Sequence, residues 1–209
     1  MTLQTLSGDE GPDLPEFDLP PDDPVETLRS WLDAAVEHGV REPSAVALAT
    51  ADADGRPSVR TLLIKAVEPR GLTFTTDATS PKGADLAARP YAAVVFYWRE
   101  ILRQVRVAGS VRRLPAAESD VLFAERPIEA QATTAASAQS KPLDSDEALQ
   151  RRAEALLATG EAIPRPDSWH GYLLEPDEIE FWQGRTNRLH RRLRYRRHEG
   201  AWSAQRLQP

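Results

Sequence analysis

The sequence contains no cysteine. That excludes disulfides, cysteine nucleophiles and thiolate-held metals, and it points to a cytoplasmic location. Long apolar runs are missing too. The longest, Tyr91–Trp98 (YAAVVFYW), is far too short to cross a bilayer as a helix, so no membrane role is expected. The first residues lack the basic-then-apolar layout of a secretion signal. No Gly-rich phosphate loop, GxSxG or HExxH motif occurs. The histidines are only four (His38, His170, His190, His198) and scattered, which argues against a metal site. The acids sit mostly near the N-terminus or beside turns, which argues against a glycosidase pair. There is no internal repeat.

What is present fits one sizeable core: 209 residues, 41% of them hydrophobic. The net charge of −6 hides an asymmetry. Residues 1–26 carry eight acids and no base, whereas from Trp182 onward there are eight arginines and one acid, Glu199. Residues 1–22, rich in Pro, Gly and acids, read as a flexible acidic arm. Residues 23–209 read as the folded domain.

Asp23-Pro24-Val25-Glu26 has the layout of a helix start, and Val25, Leu28, Leu32, Ala35 and Val36 follow at helical spacing up to Gly39. A strand-rich block comes next: Ser44–Thr50, Val59–Val67, Leu72–Thr76, Tyr91–Trp98 and Gln104–Val111, joined by tight turns. Only one short helix, Pro81–Ala88, interrupts it. Strands this close leave no room for crossover helices, so the sheet is antiparallel. Helices are expected at Ala116–Glu125 and Asp146–Thr159, with a small-residue linker over Ala130–Ser140. Strand-like pieces at Gly171–Leu174, Ile179–Trp182, Leu189–Arg196 and Trp202–Leu207 close the chain.

Cationic and amide side chains are the candidate site residues. Arg60 and Lys65 flank the apolar TLLI and face opposite sides of a regular strand. Thr75, Thr76, Ser80 and Lys82 run into a helix start, which suits a phosphate, or else is a hydroxyl-rich turn with a serine cap. In WQGRTNRLHRRLRY, the residues Trp182, Arg188, His190 and Arg192 lie even numbers of residues apart and share a face if the segment is extended. A planar aromatic, two guanidiniums and an imidazole suit a flat anionic ligand. A solvated basic strand, or one that binds nucleic acid, is the alternative. Arg185 and Arg191 lie on the other parity, and with Arg194 they read as surface charge.

Five segments in order, VRTLLIK (Val59–Lys65), FTTDATSPKG (Phe74–Gly83), RQVRVAG (Arg103–Gly109), the Gln139-Ser140 pair and FWQGRTNRLHRRLRY (Phe181–Tyr195), resemble the pyridoxamine 5′-phosphate oxidase family. The resemblance covers roughly residues 23–209. It implies a mainly β fold with flanking helices, an antiparallel split β-barrel that is homodimeric with FMN at the interface. It implies flavin contacts from Arg60, Thr61, Leu62, Leu63, Lys65, Thr75, Thr76, Ser80, Lys82 and Gln104. Gln139, Ser140, Trp182 and Arg192 would reach the flavin from the other side of the site. Lys65, Arg126, Arg188 and His190 would contact substrate, with Arg188 and His190 at the reacting centre.

The sequence departs from that pattern at Leu122 and Ala130, where the vitamer oxidases have a Tyr and a Ser for the substrate phosphate, and at Pro81, where they usually have Arg. Each charged hydrogen bond lost costs about 1.5–3 kcal/mol. The acidic Pro-rich start, REPSAVALAT, VFYWRE and GYLLEPDEIEFW look like the flavin oxidases of phenazine biosynthesis. That likeness implies a small, aromatic, carboxylated, partially reduced substrate, hydride transfer to flavin N5 and oxygen as acceptor. A pyridoxamine or pyridoxine 5′-phosphate oxidase and a flavin-binding module without turnover are the rival readings, and nucleic acid is not an expected partner.

Overall fold

The computed structural model describes residues 6–209. Asp23 opens helix α1 (Pro24–Glu37): its carboxylate accepts from the backbone N–H of Val25 at 2.8 Å and of Glu26 at 3.3 Å. Pro24 fills a first-turn position that needs no donor, and Gly39, at φ +69°, stops the helix. The buried stripe is Val25, Leu28, Trp31 and Ala35. Val36, expected in it, is exposed, because the helix turns toward Trp31.

Nine strands follow: β1 (Ala45–Ala51), β2 (Pro57–Leu63), β3 (Ala66–Glu68), β4 (Gly71–Asp77), β5 (Tyr91–Trp98), β6 (Arg103–Arg113), β7 (Trp169–Gln183), β8 (Arg191–His198) and β9 (Ala201–Leu207). All pairs are antiparallel, in the order β2-β1-β5-β6-β7-β4-β3, with β8 and β9 extending from β7. The two ends of that path, β2 and β3, are consecutive in sequence. The Ile64 N–H donates to Ser44 O at 2.9 Å on the β1 side, and the Lys65 N–H donates to Thr73 O at 2.7 Å on the β4 side. The sheet therefore curls back on itself as a split barrel. Val59–Val67, expected as one strand, breaks at Ile64–Lys65 because its halves pair with different neighbours.

Strand β7 also departs from expectation. It runs unbroken through Pro176, where two pieces were expected. The register against β6 shifts between Ala108 and Gly109, which face Glu178 and Pro176, so Asp177 is left over as a bulge. Before the bulge His170, Tyr172 and Leu174 lie on the inner side, level with Thr76, Phe74 and Leu72. After it Ile179, Phe181 and Gln183 are buried, and Glu178, Glu180 and Trp182 face outward. Gly109 permits this, since a Cβ there would lie 2.0 Å from Glu175 O.

Helix α2 (Pro81–Ala88) follows β4, with Ser80 as its cap. Helices α3 (Ala116–Ala124), α4 (Ile128–Ala136) and α5 (Asp146–Ala158) form a separate layer. Its small core joins Phe123, Ala132, Ile163 and Trp169. The expected linker Ala130–Ser140 is largely helical, because its alanines present a small face that packs into this core; Ala132 is fully buried.

The acidic arm is corrected as well. Residues 1–5 of it lie outside the described residues, but from residue 6 onward it is docked. A single 3-10 turn, Pro15–Phe17, drops Phe17 into the main core, 6.0 Å from Trp31, which in turn meets Phe181 at 5.1 Å. The guanidiniums of Arg191 and Arg206 lie over the Phe17 ring at 4.9 and 5.6 Å. Asp18 pairs with Arg191 at 2.6 Å, and Tyr195 donates its hydroxyl to Pro21 O at 2.9 Å. Composition suggested solvation; one buried aromatic and complementary charge give the arm a seat.

Replacing Phe17 with Ala is expected to lower stability by about 3 kcal/mol in urea unfolding, and to open residues 14–21 to limited proteolysis. The hydrogen bond from Arg191 holds the Asp18 carboxyl below its usual pKa, so its contribution is present above the ordinary carboxylate range and is lost as pH falls through the lowered value. Proteolysis of the arm should accelerate in that acid window and not above neutrality.

Candidate functional site

Two groups of predicted residues assemble, in different places. The first lies where β2, β4 and α2 meet. Arg60 donates to Thr50 Oγ1 at 2.7 Å and to the Ser58 hydroxyl, and lies 3.9 Å from Asp85. Lys82 Nζ donates to Ser80 Oγ at 3.3 Å and to Gln139 Oε1 at 3.2 Å; the same amide oxygen accepts from Thr76 Oγ1 at 3.1 Å. Burial, and after it the nearby Arg60 charge, lowers the Lys82 pKa, while Asp77 opposes them. A half-buried ammonium beside a guanidinium and hydroxyls is a cationic recess suited to a phosphate.

Next to it is a cleft of about 180 Å³ bordered by Thr75, Thr76, Asp77, Arg126, Thr134 and Gln139. Arg126 lies over the Trp169 ring at 5.4 Å and donates to Thr134 Oγ1 at 3.0 Å, yet its buried Nε has no partner. Burial lowers its pKa. A partly buried guanidinium with an unused donor is suited to receiving an anion.

The second group stands on the outer face of the sheet. Tyr97, Gln104, Trp182 and Arg192 are successive register partners across β5, β6, β7 and β8, so their side chains form one row. Glu180, almost fully buried, accepts from Arg192 at 2.8 Å and Arg106 at 3.2 Å and fixes the row's basic end. The row was expected partly from even spacing between Trp182 and Arg192, and that reason fails. Gly184–His190 is a loop, Arg188 is exposed at φ +69°, and β8 starts only at Arg191. A hairpin, not parity, brings the residues together. His190 reaches the row, its ring 4.9 Å from Trp182.

His190 Nδ1 accepts from the Arg185 N–H at 3.0 Å, which leaves the ring proton on Nε2. Burial first, and then the Arg188 charge, lowers the His190 pKa. The imidazole is thus a neutral donor, and it cannot take a proton at Nδ1 without losing that bond.

The grouping by side of the site is corrected. Gln139, expected with Trp182 and Arg192, joins Thr76 and Lys82; Gln104, expected with Arg60, joins Trp182 and Arg192. Arg60 and Lys65 do not meet: Lys65 lines a different cleft, of about 420 Å³, with Thr73, Glu118 and Leu122. Thr61 and Leu63 are exposed while Leu62 packs on the core, and Ser140, at φ +66°, lies in an exposed loop. Arg185 and Arg191 are not surface charge. Their side chains are nearly buried, and they pair with Glu10 at 3.2 Å and Asp18 at 2.6 Å. Arg194 donates to Gln205 at 2.7 Å. Thr134, Trp169 and Glu180 were missed. For Glu180 a signal existed: Glu178 and Glu180 alternate in a segment bound for strands rich in arginine.

The two groups lie on opposite faces of the sheet: Arg60 is level with buried Leu48 and Val94, whereas Tyr97 and Trp182 face outward. The outer face around the row is small and apolar, with Ala47, Ala49, Ala93 and Val95 flanked by exposed Val59, Leu63 and Tyr97. A second chain on that face would cover it and bring the two groups together.

The model of the pyridoxamine 5′-phosphate oxidase family matches residues 32–160, and that of the pyridoxine 5′-phosphate oxidase C-terminal dimerisation region matches residues 169–209. A pyridoxine/pyridoxamine 5′-phosphate oxidase of Salinibacter ruber is 48% identical over 193 residues, 90% of each chain. A dihydrophenazinedicarboxylate synthase of Burkholderia lata is 43% identical over 207 residues, 99% of this chain and 98% of the other. The crystal structure of PhzG from Burkholderia lata 383, in complex with tetrahydrophenazine-1-carboxylic acid, superposes with a TM-score of 0.92 at 44% identity, covering 94% of this chain and 97% of the other. Among the described residues no helix is long and apolar enough to cross a membrane, and no cluster of metal-ligating side chains occurs.

The lowered Lys82 pKa means that the folded chain pays to keep this ammonium charged. Replacing Lys82 with Met is expected to raise the urea midpoint at neutral pH in phosphate-free buffer. Millimolar inorganic phosphate should raise the thermal midpoint of the parent protein and have much less effect on the variant. Equal stabilisation of both would remove Lys82 from the anion site.

Proposed function

The chain belongs to the pyridoxamine 5′-phosphate oxidase family, and from that membership we propose that it is an FMN-dependent oxidase of partially reduced, carboxylated phenazine precursors, acting as a homodimer. The residues present fit the flavin. Arg60, Lys82, Thr76 and Ser80 would hold its phosphate, with Thr75 and Gln139 beside them. Trp182, Gln104 and Arg192 of the partner chain would border its ring system, with Lys65 near the substrate side. Held by these residues, FMN would supply the redox chemistry, hydride uptake from the substrate with oxygen as final acceptor.

The protein's own part is binding and orientation. Arg188, Arg126 and Lys65 would hold carboxylates by charge-assisted hydrogen bonds. Neutral His190 would donate from Nε2 and orient the ring, with Arg185 keeping its tautomer fixed. The observation that carries the choice of substrate is the chemistry at Leu122 and Ala130. Leu122 is an apolar wall of the cleft lined by Lys65, and Ala130 offers Arg126 only its backbone oxygen, at 3.3 Å. Neither side chain can bind a phosphate, whereas the guanidiniums serve a carboxylate equally well. The alignment spanning 99% of the chain with the phenazine enzyme supports the same reading.

The second reading, a pyridoxine or pyridoxamine 5′-phosphate oxidase, is favoured by the 48% identity to the Salinibacter enzyme. Anaerobic mixing separates the two. Purified protein should release FMN on denaturation, and tetrahydrophenazine-1-carboxylic acid should bleach its visible band far faster than pyridoxine 5′-phosphate. Faster bleaching by the vitamer would reverse the assignment, and protein without flavin would end both. Replacing Arg188 with Ala should raise KM for the phenazine roughly tenfold or more with little change in kcat.

A further inference from the structure

We infer that Glu10, in the N-terminal arm, is a positioning residue that holds the turn carrying Arg188 and His190 in its working shape. Its Oε2 accepts from the backbone N–H of Thr186 at 3.0 Å and from Thr186 Oγ1 at 2.9 Å, and its Oε1 accepts from Arg185 Nη1 at 3.2 Å. Arg185 supplies the backbone N–H bonded to His190 Nδ1, and its carbonyl accepts from the Arg188 N–H at 3.0 Å. One carboxylate therefore grips the first two residues of a turn whose other members are the proposed substrate contacts.

Of the turn's other contacts, Asp13 and Gln183 hold only the Arg185 guanidinium, and the Leu189 N–H bonds locally to Asn187. Thr186, Asn187, Arg188 and Leu189 are exposed, and Arg188 sits in the left-handed region, where its Cβ crowds the following carbonyl oxygen. Gly184 anchors one end through its N–H to Leu102 O at 2.7 Å. The arm is itself anchored beside Glu10: Gln183 Nε2 donates to Glu10 O at 3.3 Å and to Pro12 O at 3.0 Å, and the Asp9 N–H donates to Glu100 O at 2.7 Å. Backbone anchors on both sides of Glu10 make it a fixed strut rather than a passing surface ion pair.

Glu10 lies outside both family models, which begin at residues 32 and 169. The catalytic meaning of the strut rests on the function proposed above.

Hydrogen exchange by mass spectrometry on the flavin-loaded protein reads the strut without turnover. In Glu10→Ala, exchange across residues 184–190 is expected to rise about tenfold, with Glu10→Gln intermediate because it keeps one acceptor. Asp18→Asn, which cuts a different contact of the arm, should leave that segment unchanged. KM for tetrahydrophenazine-1-carboxylic acid should rise about tenfold in Glu10→Ala, with kcat within about twofold. Unchanged exchange in Glu10→Ala overturns the inference, as does an equal rise in Asp18→Asn. Raised exchange with an unmoved KM keeps the strut and instead removes Arg188 and His190 from the substrate.

Discussion

The bulge in the middle of β7 is the constraint on which the rest of the molecule depends. One strand pairs with β4 at its start, with β8 at its end and with β6 along most of its length, and no constant alternation could satisfy all three. The spare residue at Asp177 resets the parity. Tyr172 and Leu174 can face the core on one side of it, and Ile179 and Phe181 on the other. Because of that reset, Trp182 emerges on the outer face in line with Gln104 and Arg192, while the far half of the strand stays level with Thr75 and Thr76. The placing of the Trp182 row and the Thr75–Thr76 end of the sheet on opposite faces follows from this one irregularity.

Charge is arranged around that frame as paired sets. The arginines of the C-terminal hairpin meet carboxylates from two sources. Glu178 and Glu180 of β7 take Arg106, Arg192 and Arg196, and the arm's Glu10, Asp13 and Asp18 take Arg185, Arg191 and Arg206. The basic run therefore does not stand as a bare stripe, which weakens the case for nucleic acid that composition alone left open. Lys82, Arg126 and Arg188 make no ion pair among the described residues, and ligands are proposed beside them.

Much of this was legible in the sequence, for definable reasons. Asp23, Pro24 and Gly39 mark α1 because capping is local chemistry, and the tight turns between short strands reveal the antiparallel order. Site residues were legible mostly through motif resemblance. What escaped was non-local. The parity argument across Gly184–His190 failed because a loop can return two residues to one face as well as an extended strand can. Gln139 and Gln104 exchanged groups because their neighbours depend on which strand pairs with which. The helix α4 was hidden by a composition that looks like a linker until Ala132 has a core to enter. The arm looked solvated because its acids outnumber its single anchor, Phe17, and that anchor's receptor is made of residues far along the chain.

That distance has a kinetic side. Asp18 and Phe17 are held by Arg206 in β9, and Glu10 by the segment just ahead of β8. Segments near the N-terminus leave the ribosome first, so the arm must wait, unpaired, while the whole barrel is synthesised. Docking before the barrel formed would close a loop of nearly the whole chain at high entropic cost, whereas afterwards the arm alone remains to be ordered. The barrel can therefore be assembled before the arm is seated, and locking the arm down records that the last hairpin has been made.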